Sequence, residues 1–307
     1  MTDRVTIAVL TYQRPDDLAE LLPALVLQVH EVAADVDIVV VDNDPAGGAR
    51  RQVEQAAAGA PIRYLHEAAP GIAAARNRAL DEATAELLVF IDDDERPTPQ
   101  WLARLLAVHD RHRVEAVVGP VVSRYETPPS RWVEAGRFFD RRRMPTGTTV
   151  TIAATNNLLL DLAWVRRNGL RFDTRFGLSG GSDSLFTRQL HERGGRMLWC
   201  DEAVVIDIVP ANRLTRDWVL RKAYRIGNAT SRVLLDGTAP RRRFRMRLRL
   251  LGRGSVRVAG GAVRCLAGVL SGRLGHRARG MRTVARGAGM LSGSLGSVYS
   301  EYARSRR

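Results

Sequence analysis

Through its first 236 residues the chain alternates short apolar runs with longer amphipathic ones. Residues 5–10 form a continuous apolar run, and apolar positions at helical spacing follow over 16–29, with Pro15 at the start. Residues 37–41 and 61–65 are further strand candidates, 71–83 reads as a helix, 87–91 as a strand, 98–109 as a helix and 116–123 as another strand. Apolar strands separated by helices of this length predict an α/β fold, a mainly parallel sheet covered on both faces. Further along, 151–160 predicts a strand pair interrupted by Asn156 and Asn157. A helix over 184–193, strands over 196–200 and 203–209, and a long helix over 215–235 complete the pattern. Residues 124–149 are rich in Arg, Pro and Gly without periodicity, and predict a mobile loop or insertion near the site.

Composition narrows the class. The 307 residues are 45% hydrophobic and 26% charged, enough to bury a large core and incompatible with a disordered chain, a collagen or a disulfide scaffold. Cys200 and Cys265 are the only cysteines, far apart and with no CxxC pattern, which excludes a zinc ribbon and suits a reducing cytoplasm. The first ten residues show neither the basic segment nor the cleavage site of a signal peptide. The net charge of +14 is distributed unevenly. Residues 237–307 hold 17 Arg and one acid, Glu301, for a local charge of +16, while the first 236 residues sum to −2. Lys222 is the only lysine. A block so depleted of acids seeks a polyanion, either lipid headgroups or nucleic acid.

Polar residues follow three of the predicted strands: Thr11-Tyr12-Gln13-Arg14, Asp42-Asn43-Asp44 and Asp92-Asp93-Asp94-Glu95. In a parallel sheet these groups converge beyond the carboxyl ends of the strands, where such folds bind ligands. Three adjacent carboxylates at the mouth of a buried strand repel one another, and a divalent cation resolves the conflict. Hard oxygen donors suit Mg²⁺ or Mn²⁺, whose remaining ligands come from water and a diphosphate. Arg96 stands where an aspartyl-phosphate phosphatase requires Thr. No P-loop and no GxGxxG follows any strand, which argues against ATPase and dinucleotide chemistry.

Taken in order, residues 10–14 (LTYQR), 39–43 (VVVDN), 70–77 (PGIAAARN), 90–94 (FIDDD) and 180–183 (GGSD) resemble the family 2 glycosyltransferases of GT-A fold, over about residues 4 to 235. The resemblance implies transfer of a sugar from a nucleotide-diphosphate donor with inversion at the anomeric carbon. It places Thr11, Tyr12, Arg14 and Arg76 at the nucleotide, Asp42 on the base (usually uracil), Asp93 on the ribose, and Asp94 on the metal with Asp92 in support. It makes Asp183 the general base, in a position where the family usually has Glu-Asp and this chain has Ser182-Asp183. On local sequence alone, Asp183 reads equally well as a helix N-cap. Relatives with a metal-ligating His near residue 204 have no counterpart here, and Asp207 is the nearest candidate. Asn156 and Asn157 are candidates to orient acceptor hydroxyls, or to satisfy backbone at a bulge.

From the residues and the resemblance together, the expected organisation is a GT-A glycosyltransferase domain over 1–236 and a basic amphipathic helical tail over 237–307. Arg257 and Arg264 are seven residues apart, so on a helix they lie within about 20° of each other. Arg279, Arg282 and Arg286 form a second stripe. An apolar helix with a basic stripe suits the plane of an anionic membrane surface, although the same segments could also form a hairpin packed on the protein. The scarcity of aromatics in the tail argues against nucleic acid. The expected partners are therefore a nucleotide-sugar donor, a glycan or polyprenyl-linked acceptor, and the inner face of the cell membrane. The competing readings are a nucleotidyltransferase, which would need a Gly-rich loop after the first strand, and a non-catalytic adaptor.

Overall fold

The computed structural model describes residues 4–299. Glu301, the one acid of the tail, lies outside the described residues. The chain divides into two units, one of residues 1–124, 141–177 and 182–208, the other of 125–140, 178–181 and 209–307. Residues 125–140 and 209–236 fall in the same unit as the described part of the tail.

The first unit opens with β1 (Arg4–Thr11), α1 (Pro15–His30), β2 (Asp35–Asp42), α2 (Arg50–Ala56), β3 (Ile62–His66), α3 (Ile72–Glu82) and β4 (Leu87–Asp92). β5 (Glu95–Pro97), α4 (Trp101–His112), β6 (Ala116–Val118) and β7 (Val121–Tyr125) follow. After the second unit's α5 (Arg131–Gly136) come β8 (Thr149–Val150), β9 (Asn157–Asp161), α6 (Leu162–Arg167), α7 (Ser182–Glu192), β10 (Met197–Trp199) and β11 (Val205–Val209). The main sheet has eight strands in the order β3-β2-β1-β4-β9-β6-β10-β8. β1 pairs in parallel with β2 and β4, and β2 with β3, while β9 runs antiparallel to both β4 and β6. A small sheet, β5-β11-β7, stands apart.

The central strands are apolar on both faces because both faces are covered. Ile7, Val9, Val40 and Val89 pack with α1 and α4, and Ala8, Val39, Leu88 and Phe90 pack with α3 and α7. Burying one such side chain contributes roughly 1.5–3 kcal/mol. The predicted strand at 116–123 is in fact two strands in different sheets, broken at Gly119-Pro120. A Cβ at Gly119 would lie 2.3 Å from both the Ala203 carbonyl and the Asn157 amide, so the close approach that splits the strand admits only glycine.

In the second unit, α5, α8 (Arg216–Asp236), α9 (Arg243–Leu270) and α10 (Leu274–Ser294) are helical, and Tyr125, Phe139, Val209, Leu214, Val219 and Trp218 gather into a separate apolar cluster. The stretch expected to be a mobile loop or an insertion near the site is ordered in part as α5 and its aromatic neighbours. α9 and α10 form the hairpin, held by glycines. A Cβ at Gly261 would meet Val284 N at 2.8 Å, and one at Gly280 would meet Cys265 N at 2.5 Å. A Cβ at Gly227 on α8 would meet the Arg286 carbonyl at 2.0 Å. The three helices touch backbone to backbone. Among the described residues no helix is long and apolar enough to cross a membrane.

Candidate active site

Parallel register sets the residues that end the strands side by side. Thr11 pairs with Asp42, Asp42 with His66, and Leu10 with Asp92. The three strand-end motifs therefore do share one edge of the sheet.

The chain leaves β1 through Gln13, whose φ of 55° is left-handed and strained for a non-glycine residue. That turn exposes Tyr12 and brings Arg14 back over the end of β4. The Arg14 guanidinium lies 2.8 Å from Asp93 Oδ1 and 2.8 Å from Asp94 Oδ2, and Thr11 Oγ1 donates to Asp93 Oδ2 at 2.9 Å. Burial works against the Arg14 charge, but Asp93 and Asp94 outweigh it and the net shift of its pKa is upward.

The three carboxylates behave differently. Asp93 is buried and turned inward onto Thr11 and Arg14. Burial, then the charge of Asp94 against the opposing pull of Arg14, pushes its pKa up to about 7. Asp92 is pushed up to about 6, by burial and then by Asp94, with Arg76 and Arg14 opposing. Asp94 keeps a partly exposed side chain. Glu95, a neighbour to which no role was assigned from sequence, is 1% exposed. It accepts from Asn156 Nδ2 at 2.6 Å and from the Asp92 backbone N–H at 3.2 Å, and burial holds its pKa well above the usual range.

Asp42 also faces inward. Its carboxylate is wholly buried and accepts from the backbone N–H groups of Asp44 and Ala49, each at 2.9 Å, and from Tyr64 Oη at 3.1 Å. An acid so occupied shapes the loop 43–49. Asn43 does similar work next door. Its amide donates to the carbonyls of Glu67 and Ala69 and accepts from Gly71 N–H. Gly71 has φ 110°, and a Cβ there would stand 3.1 Å from the Gly177 backbone.

From that turn α3 carries Arg76 into the site. Its Nη1 donates to Ser182 Oγ at 3.1 Å, its guanidinium lies over the Phe172 ring at 5.5 Å, and its buried Nε has no protein partner. Asn77 clamps the same Phe172 through its backbone, donating to the carbonyl and accepting from the N–H, each at 2.9 Å. Phe172 in turn stacks on Phe186 of α7 and meets Phe90 edge to face. One aromatic cluster thus fixes α3, α7 and the end of β4 together. α7 begins at Ser182, so Asp183 lies within its first turn rather than at the cap, and it accepts from Ser184 N–H at 2.7 Å. Its charge is felt at Asp92.

Asn157, expected as one of two acceptor-orienting amides, is 1% exposed and fully engaged. It accepts from Trp101 Nε1 and donates to the carbonyls of Pro120 and Ala203. It is a structural tie, in line with the second of the two readings its sequence left open. Asn156 is committed to Glu95. Asp207 lies opposite Glu95 in the small sheet and pairs with Arg141. Cys200 and Cys265 are free thiols, and burial pushes Cys200 up to about 11, which leaves it inert.

Among the described residues no three His, Cys, Asp or Glu side chains form a ready-made metal cage. Asp92 and Asp94 nevertheless fit a hard cation held with a diphosphate, since such ions take one or two carboxylates and complete their shell with phosphate and water. The mutual penalty between these two acids is what a cation would relieve.

A mixed sheet with a nucleotide-type edge of this kind defines a GT-A-like α/β enzyme. Residues 6–166 match the family described as Glycosyl transferase family 2, and the chain belongs to that family: it is a glycosyltransferase. It is similar to the succinoglycan biosynthesis protein ExoM of Rhizobium meliloti (strain 1021), 34% identical over 76% of each chain. Among solved structures, the mannosyltransferase PcManGT from Pyrobaculum calidifontis, in complex with GDP-Man and Mn2+, aligns with TM-score 0.66 and 19% identity over 95% of this chain and 87% of that one. S. aureus TarS 1-349 in complex with UDP-GlcNAc aligns with TM-score 0.53 and 16% identity over 92% and 90%. At these identities the structures establish the fold.

Proposed function

We propose that the chain is an inverting glycosyltransferase that moves a sugar from a nucleoside-diphosphate donor, a UDP-sugar first among them, to a hydroxyl of a glycan or polyprenyl-linked acceptor. The observation that carries this reading is that Arg76 reaches Ser182 in the first turn of α7 while the charges of both Arg76 and Asp183 act on Asp92. Arg76 and Arg14 bind and orient the diphosphate. Asp183 accepts the proton of the acceptor hydroxyl as its oxygen bonds to the anomeric carbon, while the bond from that carbon to the phosphate oxygen breaks and the nucleoside diphosphate departs with the electron pair. A Mn²⁺ or Mg²⁺ held by Asp94 and Asp92 would supply Lewis-acid stabilisation of the leaving diphosphate. Two relatives support the donor and acceptor classes. PcManGT is seen with a nucleotide sugar and Mn2+, and ExoM is named for biosynthesis of a polysaccharide. The basic tail, 17 Arg against one acid, supports work at the cytoplasmic face of a membrane, where a lipid-linked acceptor is presented.

Release of UDP from UDP-sugars in the presence of Mn²⁺ and polyprenyl-linked glycan acceptors tests this reading. Asp183→Asn is expected to bind donor as the parent does and to lose at least about 100-fold in transfer rate. Transfer by that variant at near-parent rate would remove Asp183 as the base.

A further inference from the structure

Among the described residues, the second unit holds a set of arginines on α9 and α10 with no acidic partner. Residues 237–299 include no Asp or Glu. On α10, Arg279, Arg282 and Arg286 occur at spacings of three and four, so they share one helical face within about 60°. The face is not solvated as a surface stripe would be. All three side chains are half-buried, the Nε atoms of Arg279 and Arg286 are buried without a partner, and Arg282 lies over the Phe138 ring at 5.7 Å. Burial lowers the pKa of Arg282, and burial together with Arg257 and Arg282 lowers that of Arg286. Desolvated like charges held together are costly unless an anion joins them.

The glycine seam explains how two helices bring these charges to one place. Gly254, Gly261 and Gly268 recur every seven residues on α9, and a Cβ at Gly287 of α10 would meet Val258 N and Gly254 O, each at 2.9 Å. That contact sets Arg257 beside Arg286. From the seam, Arg257 and Arg264 lie about 60° around α9, followed by Arg253 and then Arg249. Beyond the arginine arc comes an exposed apolar face of Phe244, Leu248, Val256, Val263, Leu266 and Leu270. It runs most of the length of a 28-residue helix, about 42 Å at 1.5 Å per residue. An arginine arc flanking an apolar face is the composition of a helix that lies in a membrane interface.

We propose that Arg257, Arg282 and Arg286 hold the phosphate of an anionic lipid headgroup, with the outer apolar face of α9 seated at the headgroup–acyl boundary beside it. This deepens the membrane reading above, replacing a diffuse polybasic attraction with a site of three named residues. The phosphate oxygens accept from the guanidinium Nη–H groups.

Flotation of the full chain with vesicles tests the site, comparing phosphatidylcholine alone with phosphatidylcholine containing about a third phosphatidylglycerol. Removing two arginines that sit against the headgroup phosphate is expected to weaken binding to the anionic vesicles about 30-fold, whereas arginines held farther from the surface contribute less. Arg282→Gln with Arg286→Gln should reach or exceed that loss, and so should Arg257→Gln with Arg286→Gln, which keeps the test alive if the first pair misfolds. The pair Arg241→Gln with Arg242→Gln removes the same charge elsewhere in the tail and should cost clearly less. An equal loss in that control pair would reduce the effect to net charge and overturn the site, as would parent-like binding by both site pairs. Leu266→Asn with Leu270→Asn should weaken binding to both vesicle types, and no change there would overturn the seating of α9. Inorganic pyrophosphate or a single-stranded oligonucleotide that displaces the protein from vesicles at micromolar concentration would assign the arginines to a soluble anion or to nucleic acid instead. UDP release measured without vesicles should stay at parent level in every tail variant. Its loss in the parent would count against the transferase reading and leave the lipid site standing.

Discussion

Arg76 on α3 and Asp92 at the end of β4 are coupled through charge: the guanidinium holds down a carboxyl pKa that burial and Asp94 have pushed up to about 6. Arg76→Met should therefore raise the Asp92 pKa above 6, and the acid limb of the pH profile of kcat/KM should move to higher pH if ionised Asp92 is needed. Arg76→Lys restores the charge without the fork that reaches Ser182. It should bring the limb most of the way back while kcat stays depressed. A profile unmoved in Arg76→Met would separate Asp92 from the rate.

Asp93 gives a stability prediction of definite sign. Its folded pKa, about 7, lies above the ordinary carboxyl value of 3.8, so between those values the folded state binds more protons than the unfolded one. Stability contributed by this group is complete below about pH 4 and is lost as pH rises through about 7. The melting temperature of the metal-free, donor-free parent should fall between pH 5 and pH 8, and that of Asp93→Asn should fall less. Equal slopes in differential scanning calorimetry would show that Asp93 is not the source.

The edge of the sheet was legible in the sequence because parallel strands end where their apolar runs end. Thr11, Asp42 and Asp92 could be placed there without coordinates. The direction each side chain faces was not legible. Asp42 and Asp93, expected at the nucleotide, satisfy neighbouring donors here, and an acid that binds its own loop looks the same in sequence as one aimed at a ligand. Glu95 was passed over for the opposite reason: nothing local marks a carboxyl as buried when its partner, Asn156, comes from a distant strand. The basic stripes were visible as charge. Their division into an outward arc on α9 and a half-buried face on α10 depends on glycine contacts between helices, and those appear only when the helices are packed.

Asn157 and Asn156 are adjacent in sequence and should part in experiment. Asn157→Ala leaves Trp101 Nε1 and the carbonyls of Pro120 and Ala203 without their partner in a buried place. One orphaned group costs about 1–3 kcal/mol, so the variant should lose at least that much in urea unfolding. Asn156→Ala releases only Glu95, beside the Asp92–Asp94 turn. It should keep most of its stability and show its effect in the metal concentration needed for half-maximal UDP release. A weakened metal response with unchanged unfolding is the signature expected, and the reverse pattern would make Asn156 a structural tie like its neighbour.

Gly280 and Gly260 test the seam between α9 and α10. A Cβ at Gly280 would stand 2.5 Å from Cys265 N and 2.7 Å from the Gly261 carbonyl, both backbone atoms that can move only if the helices separate. Gly280→Val should cost about 1–3 kcal/mol or more and expose the α9–α10 turn at 271–273 to protease. Gly260 lies on the same helix as Gly261 but has nothing within 4 Å of a Cβ. Gly260→Ala should therefore be neutral or stabilising by up to about 1 kcal/mol, since alanine favours a helix interior over glycine. If the two variants behaved alike, the glycines would act through helix propensity alone. If only Gly280→Val loosened the hairpin, the close backbone approach that sets Arg257 beside Arg286 would be the reason the tail is so rich in glycine.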